Sequence, residues 1–270
     1  MSDFSRRDIL AIAATVGAAS AIAVPSSGQQ GSGPAIHQMP TPADAPRITM
    51  LIHPRMVLQD LVGPMTVFDI LRCRIDLVWK DREPVSTELG IPVAPTKTFA
   101  EADEAPDVLF VPGGLLGTID CMNDPIVMDF LRQRGEKAKW VTAICTGALT
   151  LAATGLLKDY DATANWVHAD LLPLMGARHV KKRVVKDRNR MTAGGVTAGF
   201  DFGLTLAAEL RGEDEARRAQ LVLEYAPEPP FDGGTPEKEP ERAAALRART
   251  PKMRQQIEQA AEAAGKRLGI

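Results

Sequence analysis

Cysteine is scarce. The chain has 270 residues and only three cysteines, and Cys73, Cys121 and Cys145 lie far apart along it. This spacing excludes a disulfide-stapled small domain and a C-x-x-C metal or redox site. An excess of either charge is also missing. The formal net charge is -2, so overall charge gives no reason to expect a nucleic-acid or membrane-surface partner. Long apolar runs are confined to the first two dozen residues, so no spanning helix is expected beyond them. What is present is ordinary globular composition, 45% hydrophobic and 24% charged, enough for one well-filled core.

The N-terminal run has the grammar of an export signal. Ser5-Arg6-Arg7-Asp8 precedes a small-residue apolar stretch from Ile9 to Val24, with an A-x-A site at Ala21-Ile22-Ala23. The paired arginines resemble a twin-arginine signal, although Ile9 stands where that signal usually has Phe. Residues 1–23 are therefore expected to be a signal peptide of a bacterial, exported (periplasmic) protein. Residues 24–46, rich in Pro, Gly and Ser, are expected to be a flexible tether.

From Ile48 onward, short apolar runs alternate with helical periodicity. Ile48–Ile52, Ile75–Trp79, Asp107–Val111 and Trp140–Ile144 read as buried strands, and Val93–Phe99 as a further one. Leu58–Leu71 has helical spacing, with Gly63-Pro64 expected to interrupt it early. Met122–Arg134 reads as a helix opened by Asn123-Asp124-Pro125. Val180–Thr192 reads as a basic hairpin turning near Asp187-Arg188-Asn189. Helices follow over Thr197–Leu210 and Glu213–Tyr225, and another is expected after Pro251. Strands alternating with helices mean an α/β domain with a mainly parallel sheet, covered on both faces. The domain is placed at residues 47–236, with 237–270 a helical C-terminal extension that packs on the domain or on a partner subunit.

In such a sheet, ligands bind beyond the carboxyl ends of the strands, and three segments there are unusual. Cys145 sits between a strand and a helix, as in a nucleophile elbow. The helix N-terminus at that place favours a thiolate with a lowered pKa; the alternative is a small buried cysteine packing as a hydrophobe. Pro112-Gly113-Gly114 follows a strand and offers backbone N–H groups to an anion or a developing oxyanion. No G-x-x-x-x-G-K-[ST] or G-x-G-x-x-G follows it, so a phosphate loop is excluded; a plain tight turn is the alternative. Asp60 lies among apolar residues. It reads either as a proton-sharing partner with a raised pKa or as a helix N-cap.

Taken together and in order, Asp60-Leu-Val-Gly-Pro64, Val111-Pro-Gly-Gly114, Ile144-Cys-Thr-Gly-Ala148 and Thr192-Ala-Gly-Gly-Val-Thr-Ala-Gly-Phe-Asp201 resemble the ThiJ/PfpI superfamily. Gln220–Asp232 is similar to its isonitrile hydratase branch. The resemblance covers roughly residues 48 to 236. It implies a flavodoxin-like three-layer sandwich, commonly dimeric, with Cys145 as nucleophile, Asp60 as acid and Thr146 in support. Gly113 and Gly114 would bind substrate or oxyanion, and Asp201 is a further candidate. No cofactor and no metal are implied. The partners expected are a small-molecule substrate and a second copy of the chain, with neither nucleic acid nor stable membrane insertion.

The implied reaction is hydration of an isocyanide to an N-substituted formamide. Thr146 replaces the His that follows the cysteine in the protease branch, and no His-x-Glu of the glutamine amidotransferases exists. Asp60 stands where glyoxalase-type members carry Glu. Asn165, before Trp166, departs from the His that branch members often show, and His168 reads as a packed or surface histidine rather than a base. Two other readings stand beside the hydratase. One is another cysteine enzyme of the superfamily, amidase-like or aldehyde-acting. The other is a non-catalytic ligand- or redox-sensing domain. The segment after Pro236 is too short for the helix-turn-helix module that some relatives carry.

Overall fold

The computed structural model describes residues 41–270. The expected signal peptide, and the expected tether up to Pro40, lie outside the described residues.

The elements run β1 (Arg47–Leu51), α1 (Leu58–Ile70), β2 (Arg74–Trp79), β3 (Val85–Ser86), β4 (Pro92–Val93), β5 (Lys97–Thr98), β6 (Val108–Val111), α2 (Leu115–Met122) and α3 (Pro125–Lys137). There follow β7 (Trp140–Ile144), α4 (Gly147–Ala153), β8 (Asp161–Ala162), a 3-10 segment (Ala169–Met175), β9 (Arg178–His179), β10 (Val184–Asp187) and β11 (Arg190–Ala193). The chain closes with α5 (Ala198–Arg211), α6 (Glu213–Val222), α7 (Pro240–Ala248) and α8 (Pro251–Arg267). One sheet has the order β10-β11-β7-β6-β1-β2-β5. It is parallel throughout except for β10, which returns antiparallel on β11.

The two-residue period of a strand divides the core. In β6, Leu109 and Val111 face one layer, built with Leu131 of α3, Leu149 of α4 and Ile257 of α8. Val108 and Phe110 face the other, built with Leu61 and Phe68 of α1 and Phe202 of α5. Phe202 meets Phe68 edge-on at 6.4 Å and Phe110 at 5.6 Å. The result is the flavodoxin-like sandwich, with the sheet as its middle layer.

Three local expectations change. Gly63-Pro64 does not interrupt α1. Pro64 removes one helical hydrogen bond, but it is buried against α5, 3.1 Å from where a Gly199 side chain would begin, and that packing carries the helix through. The strand expected over Val93–Phe99 is two short pieces. Pro92–Val93 pairs antiparallel with β3, and Lys97–Thr98 is the sheet edge; Pro95 between them has no N–H for a ladder. Leu115–Met122, unassigned from sequence, is a helix. The α3 start is as its sequence suggests, with Asp124 accepting from the Ile126 and Val127 N–H groups.

The C-terminal helix is part of the central core. Ile257, Ala260, Ala261 and Ala264 form one stripe at helical spacing and are buried with the β6 and β7 side chains. Gly265 continues this stripe so closely under the 3-10 segment that a methyl group there would overlap the Leu174 carbonyl. We therefore expect Gly265→Ala to lower unfolding stability by about 1–3 kcal/mol, as overpacked substitutions do. Equilibrium urea unfolding measures it. An unchanged midpoint would mean that α8 is not held at this position.

Candidate active site

The carboxyl ends of β1, β6, β7 and β11 lie side by side, and the loops leaving them converge. Cys145 follows β7 directly with φ of +55°, a backbone conformation that costs a non-glycine residue of order 1–3 kcal/mol. It is clamped there. Its N–H donates to the Ala193 and Gly194 carbonyls at 3.0 and 2.9 Å, and its own carbonyl accepts from Asn165 N–H at 3.3 Å. The side chain is turned out of the strand, yet Cys145 is only 5% exposed.

Asp60 reaches the same point from the first turn of α1. It does not cap the helix, since Val57 is the N-cap and the Glu88 carboxylate accepts from the Leu58 N–H. Its Oδ2 accepts from the Gly113 N–H at 2.9 Å and its Oδ1 is buried without a partner. The carboxyl and the Cys145 thiol are near enough to shift each other's proton affinity. Gly113 is the place where the chains close in. A Cβ there would stand 2.7 Å from Cys145 Cβ and 2.8 Å from Asp60 Oδ2, closer than real side chains approach.

Thr146 completes the group. Its Oγ1 accepts from the Gly114 N–H at 3.0 Å and lies 2.8 Å from Thr118 Oγ1. The Gly113 and Gly114 N–H groups, expected to face a ligand, thus hold Asp60 and Thr146. The backbone N–H groups that favour charge on the Cys145 sulfur are those of Thr146 and Val196. Asp201 is engaged elsewhere, by Arg183 Nε at 2.7 Å and the Tyr225 hydroxyl at 2.9 Å.

Three supporting residues escaped the sequence reading. Thr118 sits on α2, the helix without a sequence signal. Val196 contributes only its backbone. His53 is buried, its ring nitrogens 3.1 and 3.4 Å from the Pro54 and Pro112 carbonyls. It thereby ties the end of β1 to the Pro112–Gly114 loop. Asn165 has its own task, with Oδ1 accepting from the Val167 N–H at 3.1 Å.

Electrostatics follow from burial. Loss of water pushes the Asp60 carboxyl up to about 7, although the Gly113 N–H and the Cys145 thiol pull it back down. Burial also pushes the Cys145 thiol up, and the Asp60 charge adds to this, while the Thr146 and Val196 N–H groups oppose it. The thiolate expected from the helix N-terminus is therefore not the resting form favoured here, because desolvation and a facing carboxylate outweigh two N–H groups. Near neutral pH the thiol therefore keeps its proton while Asp60 stands close to its midpoint.

A strained, buried cysteine at a strand-to-helix elbow, facing a carboxyl group in a flavodoxin-like sheet, defines a cysteine-centred α/β protein. The description DJ-1/PfpI family matches residues 46–209, and the chain belongs to that family. It is 47% identical over 195 residues to a Pseudomonas putida protein named isonitrile hydratase, covering 72% of this chain and 85% of that one. It is 31% identical over 147 residues to the Parkinson disease protein 7 homolog of Danio rerio, covering 53% of this chain and 77% of that one. Among solved structures, a ThiJ/PfpI family protein from Pseudomonas syringae superposes with a TM-score of 0.79 at 39% identity, over 85% of this chain and 96% of that one.

The raised Asp60 carboxyl also has a stability signature. In the folded chain it titrates near 7, against an ordinary 3.8. Its protonated form stabilises the fold fully below the ordinary value, and that contribution is lost as pH rises through about 7. Asparagine keeps the shape and cannot ionise. Asp60→Asn should therefore gain stability relative to the native chain between pH 4 and pH 8, by up to about 4 kcal/mol. Melting temperatures across that range test it. A constant difference between the two proteins would show that Asp60 ionises normally in the fold.

Proposed function

We propose that this protein is a cofactor-independent hydratase that adds water to an isocyanide, R–NC, and releases the N-substituted formamide, R–NH–CHO. The observation that carries this reading is the buried Cys145–Asp60 pair, a thiol beside a carboxyl raised to about 7. The isocyanide carbon accepts a nucleophile and a proton at the same atom, and this pair supplies both. The likeness to a protein named isonitrile hydratase supports the same chemistry.

As the Cys145 sulfur bonds to the isocyanide carbon, the thiol proton passes to Asp60. Asp60 then delivers it to that carbon, giving a thioimidate, Cys–S–CH=N–R. Water adds next to the same carbon; one of its protons passes to Asp60 and the other to the nitrogen, leaving Cys–S–CH(O⁻)–NH–R. The C–S bond breaks, the formamide leaves, and the proton on Asp60 returns to sulfur. The Thr146 hydroxyl, fixed by Gly114 and Thr118, orients the water. No leaving group departs in the first step, so acid assistance at carbon is indispensable.

A redox-sensing role fits less well. Sensor cysteines are exposed thiolates of low pKa, whereas Cys145 is buried and its thiol is pushed up. A Cys–His amidase mechanism lacks its histidine, since Thr146 stands next to the cysteine.

The reactive state is the singly protonated pair. Acidification through about 7 adds a second proton at Asp60, so kcat/KM should fall roughly tenfold per pH unit below that point. Asp60→Asn should lower kcat by about 100- to 10,000-fold, and Cys145→Ala should abolish turnover. Formamide release from a panel of isocyanides, followed by mass spectrometry, measures all three. Turnover in Cys145→Ala, or no turnover of any isocyanide by the native chain, would contradict the proposal.

A further inference from the structure

A threonine hydroxyl donates one proton and accepts two, and for the buried pair Thr118 and Thr146 that inventory has one consistent arrangement. The two Oγ1 atoms are 2.8 Å apart, and Thr146 Oγ1 also accepts from the Gly114 N–H at 3.0 Å. Thr118 is fully buried, and among the described residues its hydroxyl has no other partner. Were Thr146 the donor, the Thr118 proton would be buried with nothing to accept it, which is costly. With Thr118 as the donor, every buried group of the pair is matched. Thr146 then accepts from Thr118 and from Gly114, both of its lone pairs are engaged, and its own proton is the one left over. That proton stands on the residue next to Cys145.

The fold holds Thr118 in place to impose this polarity. It lies at the start of α2, where its backbone N–H donates to the Gly114 carbonyl at 2.7 Å. Gly114 thus accepts from the Thr118 backbone and donates to the Thr146 side chain. A methyl group on Gly117 would overlap the Pro54 carbonyl and the His53 ring, so α2 is seated directly on the loop that follows β1.

The reaction has a use for the remaining proton. Once water has added to the thioimidate, its oxygen carries negative charge, and a fixed donor beside it lowers the barrier. The Gly113 and Gly114 N–H groups are already engaged by Asp60 and Thr146. We propose that Thr118 is a positioning residue for the water-addition step: by donating to Thr146 it leaves the Thr146 hydroxyl solely a donor, directed at the water oxygen as that oxygen becomes the oxyanion. This inference rests on the hydratase reading. Thr118 touches no substrate and acts through Thr146. It leaves the first step alone, because no oxygen takes part when sulfur and proton add to the isocyanide carbon.

The test is a single-turnover rapid-quench experiment on the full chain, with an alkyl isocyanide of the panel that the native chain hydrates. Intact-mass spectrometry follows the Cys145 adduct, and formamide is measured in parallel. Thr118→Val keeps the shape and removes the donor. It should form the adduct at the native rate and lose it to formamide about tenfold more slowly, so that the adduct accumulates. Thr118→Ser restores the donor without the methyl group and should behave as the native chain, a rescue that a packing role would not give. Thr118→Ala supplies the comparison should Thr118→Val fail to fold. Native formamide release without added adduct in the donor-less variant, slowed adduct formation there, or an equal loss in Thr118→Ser would overturn the proposal. A native chain that forms neither adduct nor formamide from any isocyanide would instead overturn the hydratase reading, and this inference with it.

Discussion

A single buried hydrogen bond, from the Gly113 N–H to Asp60 Oδ2, fixes the relation between the two chemical groups of this protein. It joins the loop after β6 to the first turn of α1. Because Gly113 has no side chain, it also lets Cys145 and Asp60 both pack against the same backbone point. The parallel sheet brings the carboxyl ends of β1, β6 and β7 to one edge. The clamp on the strained Cys145 backbone, from Ala193, Gly194 and Asn165, then holds the elbow beside that point. The elements around the site, including His53 and Thr118, serve to hold these loops in register.

Desolvation governs what the contact can do. In water, a carboxylate and a thiol at neutral pH would carry one proton on sulfur and none on Asp60. In the buried pair both groups resist charge, Asp60 rises to about 7, and the thiol keeps its proton until a substrate draws on the sulfur. Such a pair suits a substrate that needs a nucleophile and a proton at the same carbon. It suits poorly a redox switch, which depends on a persistent exposed thiolate.

The strands of the sheet were legible because buried parallel strands are short, continuous apolar runs bounded by loops; Val108–Val111 and Trp140–Ile144 are clear examples. The elbow at Cys145 and the convergence of Asp60 with Gly113 followed from strand order and from the family resemblance. Other features had no local signal. The α2 helix begins after two glycines and lacks a capping side chain, so Thr118 was invisible. Pro64 speaks locally against a helix that packing on α5 maintains. The direction of the Cys145 shift also escaped the sequence, since a helix terminus can be read from residue order but desolvation and a facing carboxylate cannot. Likewise, the Gly113 and Gly114 N–H groups were recognised as donors, while their partners, Asp60 and Thr146, become apparent only in three dimensions.

The claim that Asp60 is held near 7 beside the Cys145 thiol is tested most directly by infrared difference spectroscopy of the carboxyl groups during a pH titration. One carboxyl should ionise near pH 7 in the native chain and be missing from Asp60→Asn. In Cys145→Ala its midpoint should move upward, because the thiol that stabilises the carboxylate is gone. Ionisation of every carboxyl below pH 5, or a midpoint indifferent to the loss of the thiol, would contradict the account.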